Sequence, residues 1–150
     1  MDDIDRRIIA VLQADGRRTN AELAVAVGLS TSAVHRRVRQ LEEEGTIAGY
    51  RAIIDPQKAG LSVLGYVSVK MDSHDPALLD QFVAGVDAIP EIVACYAISG
   101  GGDYLLKVVA ADMEAFADVA LKRLVRLPGV KDSTTNFVLG TVKREGAWPV

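Results

Sequence analysis

From Thr19 to Leu41 the chain reads TNAELAVAVGLSTSAVHRRVRQL, with apolar residues at helical spacing on both sides of one glycine. Few arrangements satisfy that pattern other than two short helices joined by a tight turn. Leu23, Ala24 and Val27 precede the glycine, Leu29 stands in the turn, and Val34, Val38 and Leu41 follow it, making one continuous buried stripe. Thr19 and Glu22 form a Thr-x-x-Glu capping box for the first helix. Gly28 tolerates the positive φ that ends it, and Ser30 is an N-cap for the second. At about 100° per residue, Ser32, Arg36 and Arg39 project opposite Val34 and Val38, flanked by His35 and Gln40.

A cationic helix face often does no more than meet solvent. Here capping box, small turn, apolar stripe and basic face coincide in one window, which predicts a helix-turn-helix that lays its second helix in a DNA major groove. Overall charge is no guide, since the formal net charge is −3 and the sequence pI about 5.4. The basic groups are concentrated locally, and Glu42, Glu43 and Glu44 follow directly behind them, so specific docking is favoured over indiscriminate coating of phosphate. Asp2, Asp3 and Asp5 open a leading helix, where carboxylates suit the positive end of the dipole.

That leading helix spans residues 3 to about 15, with Ile4, Ile8, Val11 and Leu12 spaced to pack on the helix-turn-helix. Gly45 stops the basic helix, Ile47 to Ile54 reads as extended, and Asp55-Pro56-Gln57-Lys58-Ala59-Gly60 has the composition of a turn. The expected organisation is a DNA-binding domain over residues 1–54, a hinge over 55–61 and a second domain over 62–150. A lone Cys95 in a strand that reads as buried excludes an internal disulfide and a cysteine metal cluster. With no basic-then-apolar leader and no run near the roughly 20 apolar residues of a membrane span, the expected location is the cytoplasm.

The second half repeats itself. SVLGYVSVKM, a helix opening at Asp75-Pro76, and PEIVACYAIS align with DYLLKVVA, a helix opening at Asp112, and PGVKDSTTNFVL. Each unit reads strand, helix, strand, with Asp as N-cap and a proline ahead of the returning strand. The fold class is α+β: a helix-turn-helix followed by a ferredoxin-like βαββαβ domain. Right-handed crossovers place the helices Pro76 to Val86 and Met113 to Leu124 on one face of a four-stranded sheet. Val63, Val67, Val69 and Met71 then face the helices, and Leu64, Tyr66, Ser68 and Lys70 face away. A sheet-to-sheet homodimer covers the open side and presents two reading heads.

IDRRIIAVLQADGR, ELAVAVGLSTSAVHRRVRQLEEEGTIAGY, DPQKAGL and SGGGDYLLKV together cover nearly the whole chain in a pattern that resembles the Lrp/AsnC, or feast/famine, transcription regulators. The resemblance implies a winged helix-turn-helix ahead of the ferredoxin-like domain, double-stranded DNA as a partner, dimers that assemble further into octamers or other rings, and a small-molecule effector that is usually an amino acid; no cofactor is expected. It carries a base-reading role to Ser32, His35, Arg36, Arg39 and Gln40, since arginine pairs with guanine and glutamine with adenine. Thr19, Asn20, Ser30, Thr31 and Arg37 are assigned to phosphates. The effector falls to Ser99, Gly100, Gly101, Gly102, Asp103 and Tyr104, with glycine amides for a carboxylate and Asp103 for an ammonium, joined by Thr134, Thr135 and Asn136. The residues alone leave another reading open, in which the glycines serve a hairpin and the threonines favour a strand.

Enzyme chemistry is poorly supplied. His35 lies on the reading helix and His74 in a turn, so no histidine pair or triad assembles, and Asp72-Ser73-His74-Asp75 reads as a strand end and helix cap rather than a metal site. The remaining alternative is an architectural protein that organises DNA without an effector, distinguished by its small preference among sequences.

Overall fold

Helix α1 (Asp3–Ala14) starts where Asp2 and Asp5 form a reciprocal capping box, each side chain accepting from the other residue's backbone N–H. The computed structural model describes residues 1–150, and the chain divides into two units, Met1–Ile53 with Lys143–Val150, and Ile54–Val142. The sequence places the last residues in the second domain. In the structure they join the first, where Gln13 and the backbone of Trp148 exchange two hydrogen bonds.

In the first unit α1 packs on α2 (Asn20–Val27) and α3 (Thr31–Glu43). Its core is Ile8, Ile9, Leu23, Ala24, Val27, Val34, Val38 and Leu41, flanked by Ile4, Val11, Leu12, Leu29 and Ile47. The apolar stripe read from the sequence is therefore the one buried, with Ile9 added. The wing is not formed. Ile47 to Ile54 pairs with no strand of this chain, and Ile53 and Ile54 stand exposed at 93% and 63%. An extended segment with no neighbouring strand has nothing to receive its backbone hydrogen bonds.

The second unit is built on β1 (Val63–Met71), β2 (Ile92–Ala97), β3 (Tyr104–Ala110) and β4 (Val130–Phe137), in the antiparallel order β2-β3-β1-β4. This is the ferredoxin-like order, in which β1 and β2 are joined by a crossover through α4 (Pro76–Asp87) with β3 between them. Val67, Val69 and Met71 of β1 and Leu106, Val108 and Ala110 of β3 share one core with Phe82 and Val86 of α4 and with Phe116, Val119, Ala120 and Leu124. Both helical segments thus lie on one side. Phe82 and Phe116 are almost wholly buried, each contributing on the order of 1.5–3 kcal/mol by area removed from water.

Two details depart from the sequence reading. The second helix is regular only as α5 (Met113–Asp118), then widens into a π turn (Val119–Arg123) and tightens into a 3-10 turn (Leu124–Arg126), with Val119, Ala120 and Leu124 kept on the core. Cys95, expected in the core, is exposed because β2 is an edge strand. Burial and the nearby Asp87 carboxylate still push its thiol pKa up.

Candidate DNA-reading face and effector loop

The reading helix is placed by its ends. Thr19 caps α2, its hydroxyl accepting from the Glu22 N–H at 3.3 Å while the Glu22 carboxylate accepts from the Thr19 N–H at 2.8 Å. These bonds from Thr19 hold the Glu22 carboxyl below the usual carboxylate range. Gly28 ends α2 in the left-handed region at φ 74°, where a side chain costs energy, and Ser30 caps α3 by accepting from Ala33 N–H at 3.3 Å.

On α3 the fully buried Val34 and the buried Val38 leave Ser32, His35, Arg36, Arg39 and Gln40 exposed together. Arg39 donates to Glu43 and Gln40 to Glu44, each at 2.7 Å. Ser32 shares a 3.2 Å hydrogen bond with Ser30. Thr19, Ser30 and Thr31 are exposed at the helix N-termini and Asn20 is half-buried, a setting in which amides that the caps leave over donate to anions. Arg37 departs from this set. Its Nη1 lies 2.8 Å from Asp2 and 2.7 Å from Asp5, and its side chain is only 27% exposed, so the guanidinium expected on a phosphate is engaged inside the protein.

The glycine segment joins β2 to β3, and its residues divide. Ser99, Gly100 and Gly101 are exposed, whereas Gly102 is buried against Ser68, where an added Cβ meets the Ser68 hydroxyl at 2.3 Å and the Val69 carbonyl at 3.2 Å. Asp103, expected to meet an ammonium group, is spent on the loop itself. Its Oδ2 accepts from Met71 N–H at 2.7 Å and its Oδ1 lies 3.1 Å from His74 Nε2. The Met71 bond first, and His74 next, hold its carboxyl below the usual range.

Tyr104 turns to the helix side, its ring 4.8 Å from that of Phe82. Strand alternation also splits the β4 trio. Thr135 pairs with the fully buried Val67, placing it toward the helices, while Thr134 and Asn136 pair with Ser68 and Tyr66 on the open face. Tyr104 and Thr135 therefore leave the expected effector group, and Ser68 and Tyr66 stand beside what remains. Sequence reasoning missed Ser68, His74 as the partner of Asp103, and the two aspartates on Arg37. Only the first had a local signal, its place in the outward alternation of β1. No three His, Cys, Asp or Glu side chains are grouped to hold a metal ion, and no helix is long and apolar enough to cross a membrane.

A three-helix head with an exposed basic reading helix, joined to a ferredoxin-like domain, defines a transcriptional regulator with separate DNA-binding and ligand-binding parts. The comparisons agree. Residues 1–42 match the AsnC-type helix-turn-helix domain and residues 64–148 the Lrp/AsnC ligand binding domain. The chain belongs to the Lrp/AsnC family, whose members are regulators and not enzymes. It is 42% identical over 144 residues to the leucine-responsive regulatory protein of Salmonella typhimurium strain LT2, covering 96% of this chain and 88% of the relative. The Escherichia coli K12 protein of the same name is 41% identical over the same shares. Among solved structures, a Neisseria meningitidis transcriptional regulator in complex with L-methionine superposes with TM-score 0.93 at 36% identity, covering 99% of this chain and 96% of that one. An AsnC family regulator from Agrobacterium tumefaciens gives 0.91 at 37% identity, covering 99% and 97%.

Proposed function

We propose that this regulator reads a DNA site through Ser32, His35, Arg36, Arg39 and Gln40, with Thr19, Asn20, Ser30 and Thr31 on the flanking phosphates, and that an amino acid modulates it. The observation that carries the reading is the α3 surface: five exposed side chains able to bond base edges stand on a helix whose opposite side is locked into a core. Arginine offers two donors to guanine O6 and N7, so Arg36 and Arg39 supply the strongest discrimination.

The effector is an amino acid held near Ser99, Gly100 and Gly101, with Ser68, Thr134 and Asn136 on the adjoining open sheet face. Exposed glycine amides suit a carboxylate, and the L-methionine complex of the Neisseria relative supports this ligand class. The open face carries Tyr66, Leu105 and the exposed Tyr96, and pairing it with a second copy covers them and supplies two heads for two half-sites. Such dimers associate further, into octamers or comparable rings, and work in the cytoplasm. The domain division is a DNA-binding domain of residues 1–54, to which residues 143–150 return, and a second domain of residues 62–142, about a hinge at 55–61.

DNase footprinting on the DNA upstream of the coding region, with and without a mixture of amino acids, tests this. A bounded footprint that changes with the mixture is expected. A bounded but indifferent footprint removes the effector, and diffuse protection replaces the regulator with an architectural DNA organiser. Arg36→Ala and Arg39→Ala should each cost about 1 to 3 kcal/mol and relax sequence preference.

A further inference from the structure

We propose that Arg37 is a positioning residue, clamped by the Asp2 and Asp5 carboxylates so that α3 is held in its reading position, and that it binds no phosphate; this rests on the DNA-reading role of α3 given above.

The clamp and the cap of α1 are one device. Asp2 Oδ1 accepts from the backbone N–H groups of Ile4 and Asp5, both at 2.9 Å, and Asp2 Oδ2 takes Arg37 Nη1 at 2.8 Å. Asp5 mirrors it, with Oδ2 accepting from Asp2 N–H at 2.9 Å and Oδ1 taking the same Nη1 at 2.7 Å. All four carboxylate oxygens are used, two on the helix end and two on the arginine. The capping box therefore holds both carboxylates in place for Arg37, and a preorganised receptor loses little entropy on binding.

The site is partly sheltered, with the Asp5 side chain 13% exposed and Arg37 27%. Two carboxylates around one guanidinium leave a net charge of −1, so a phosphate approaching Arg37 meets net repulsion. Arg37 neighbours Arg36 in α3, and whatever fixes its backbone fixes the reading row. A second arginine completes the brace, since Arg7 of α1 donates from Nη2 to the Ala26 carbonyl near the end of α2 at 3.0 Å. The N-terminal end of α1 thus grips both members of the helix-turn-helix through side-chain contacts.

The test uses the full chain and two duplexes, one from upstream of its coding region and one of random sequence, titrated by fluorescence anisotropy over a salt series. The clamp predicts that Asp5→Asn, although it removes a negative charge, weakens upstream binding by about fivefold and narrows the ratio between the two duplexes. Arg37→Met does the same without changing the salt slope, and the double variant is no worse than either single one. If Asp5→Asn binds as tightly as the parent or tighter, or Arg37→Met lowers the slope by about one, Arg37 is a phosphate ligand and the proposal is overturned. Amide exchange in Asp5→Asn without DNA is a separate arm, independent of the DNA-reading assignment and of whether Arg37→Met folds. Faster exchange in α3 supports the clamp, and unchanged exchange overturns it.

Discussion

Arg39 donates from Nε to Oε1 of Glu43 at 2.7 Å, one turn further along α3, so an arginine proposed to read bases is already paired with an acid of its own helix. Gln40 is paired with Glu44 in the same way. An exposed i,i+4 pair is weak and opens readily, so under the proposed base-reading role the acids are competitors for DNA to displace. Glu43→Gln removes the competitor and one charge that repels phosphate. Random duplex should bind about threefold tighter, and the operator should gain less, because non-specific binding is almost entirely electrostatic. Anisotropy titration at low and moderate salt measures both. No gain on either duplex means that Glu43 does not compete with DNA for Arg39.

The glycines of the β2–β3 loop separate by the space around them. Gly102→Ala places a Cβ 2.3 Å from the Ser68 hydroxyl and 3.2 Å from the Val69 carbonyl, whereas Gly101→Ala meets nothing within 4 Å. Overpacking of this kind costs about 1–3 kcal/mol. Denaturant melts should show Gly102→Ala destabilised and Gly101→Ala near the parent, with Ser68→Ala restoring part of the loss. Equal melting of the two variants refutes the close approach.

Legibility followed the range of the interaction. The helix-turn-helix is announced by signals three or four residues apart, such as Thr19 with Glu22 and the lone Gly28, and the covered face of β1 follows from period-two alternation. Cys95 reads as core because its strand is apolar, but which strand lies at the edge depends on the order of all four. Arg37 reads as a phosphate ligand because its partners lie across the head at Asp2 and Asp5, with no spacing to betray them. Tyr104 and Thr135 are different. Strand alternation already separates each from its chain neighbours, and grouping them by adjacency in the chain conceals it.

Tyr50 gives the head an alkaline signature. Its ring lies against Gly16 beside a cleft of about 250 Å³, and its hydroxyl donates to Glu42 at 2.9 Å. Desolvation, then the Glu42 bond and charge, push the phenol from 10.0 up to about 12. A folded pKa raised above the unfolded one contributes stability that is complete below pH 10 and is lost as pH rises through about 12. Since the residue is 53% exposed, the contribution is small. The difference in phenolate absorbance between the parent and Tyr50→Phe should therefore develop near pH 12. A difference centred at pH 10 denies both the burial of the phenol and its Glu42 contact.

The C-terminal segment is held to the head by a side chain that imitates a strand. Gln13 donates from Nε2 to the Trp148 carbonyl at 3.1 Å and accepts the Trp148 N–H on Oε1, a two-bond pairing of amide with main chain that needs no particular residue at position 148. The chain therefore enters the head unit twice, near Ile53 and again at Lys143, and Gln13 fastens the second entry. Trp148 is the single tryptophan and the residue is 80% exposed, so its fluorescence reports the tether without interference from core packing. Gln13→Ala should add a fast component to the Trp148 anisotropy decay while leaving the melting temperature nearly unchanged, because the lost bonds are exposed and water replaces them. Gln13→Glu keeps the acceptor and loses the donor, and should fall between. A decay unaltered by Gln13→Ala shows that Trp148 is not fastened through this amide in solution.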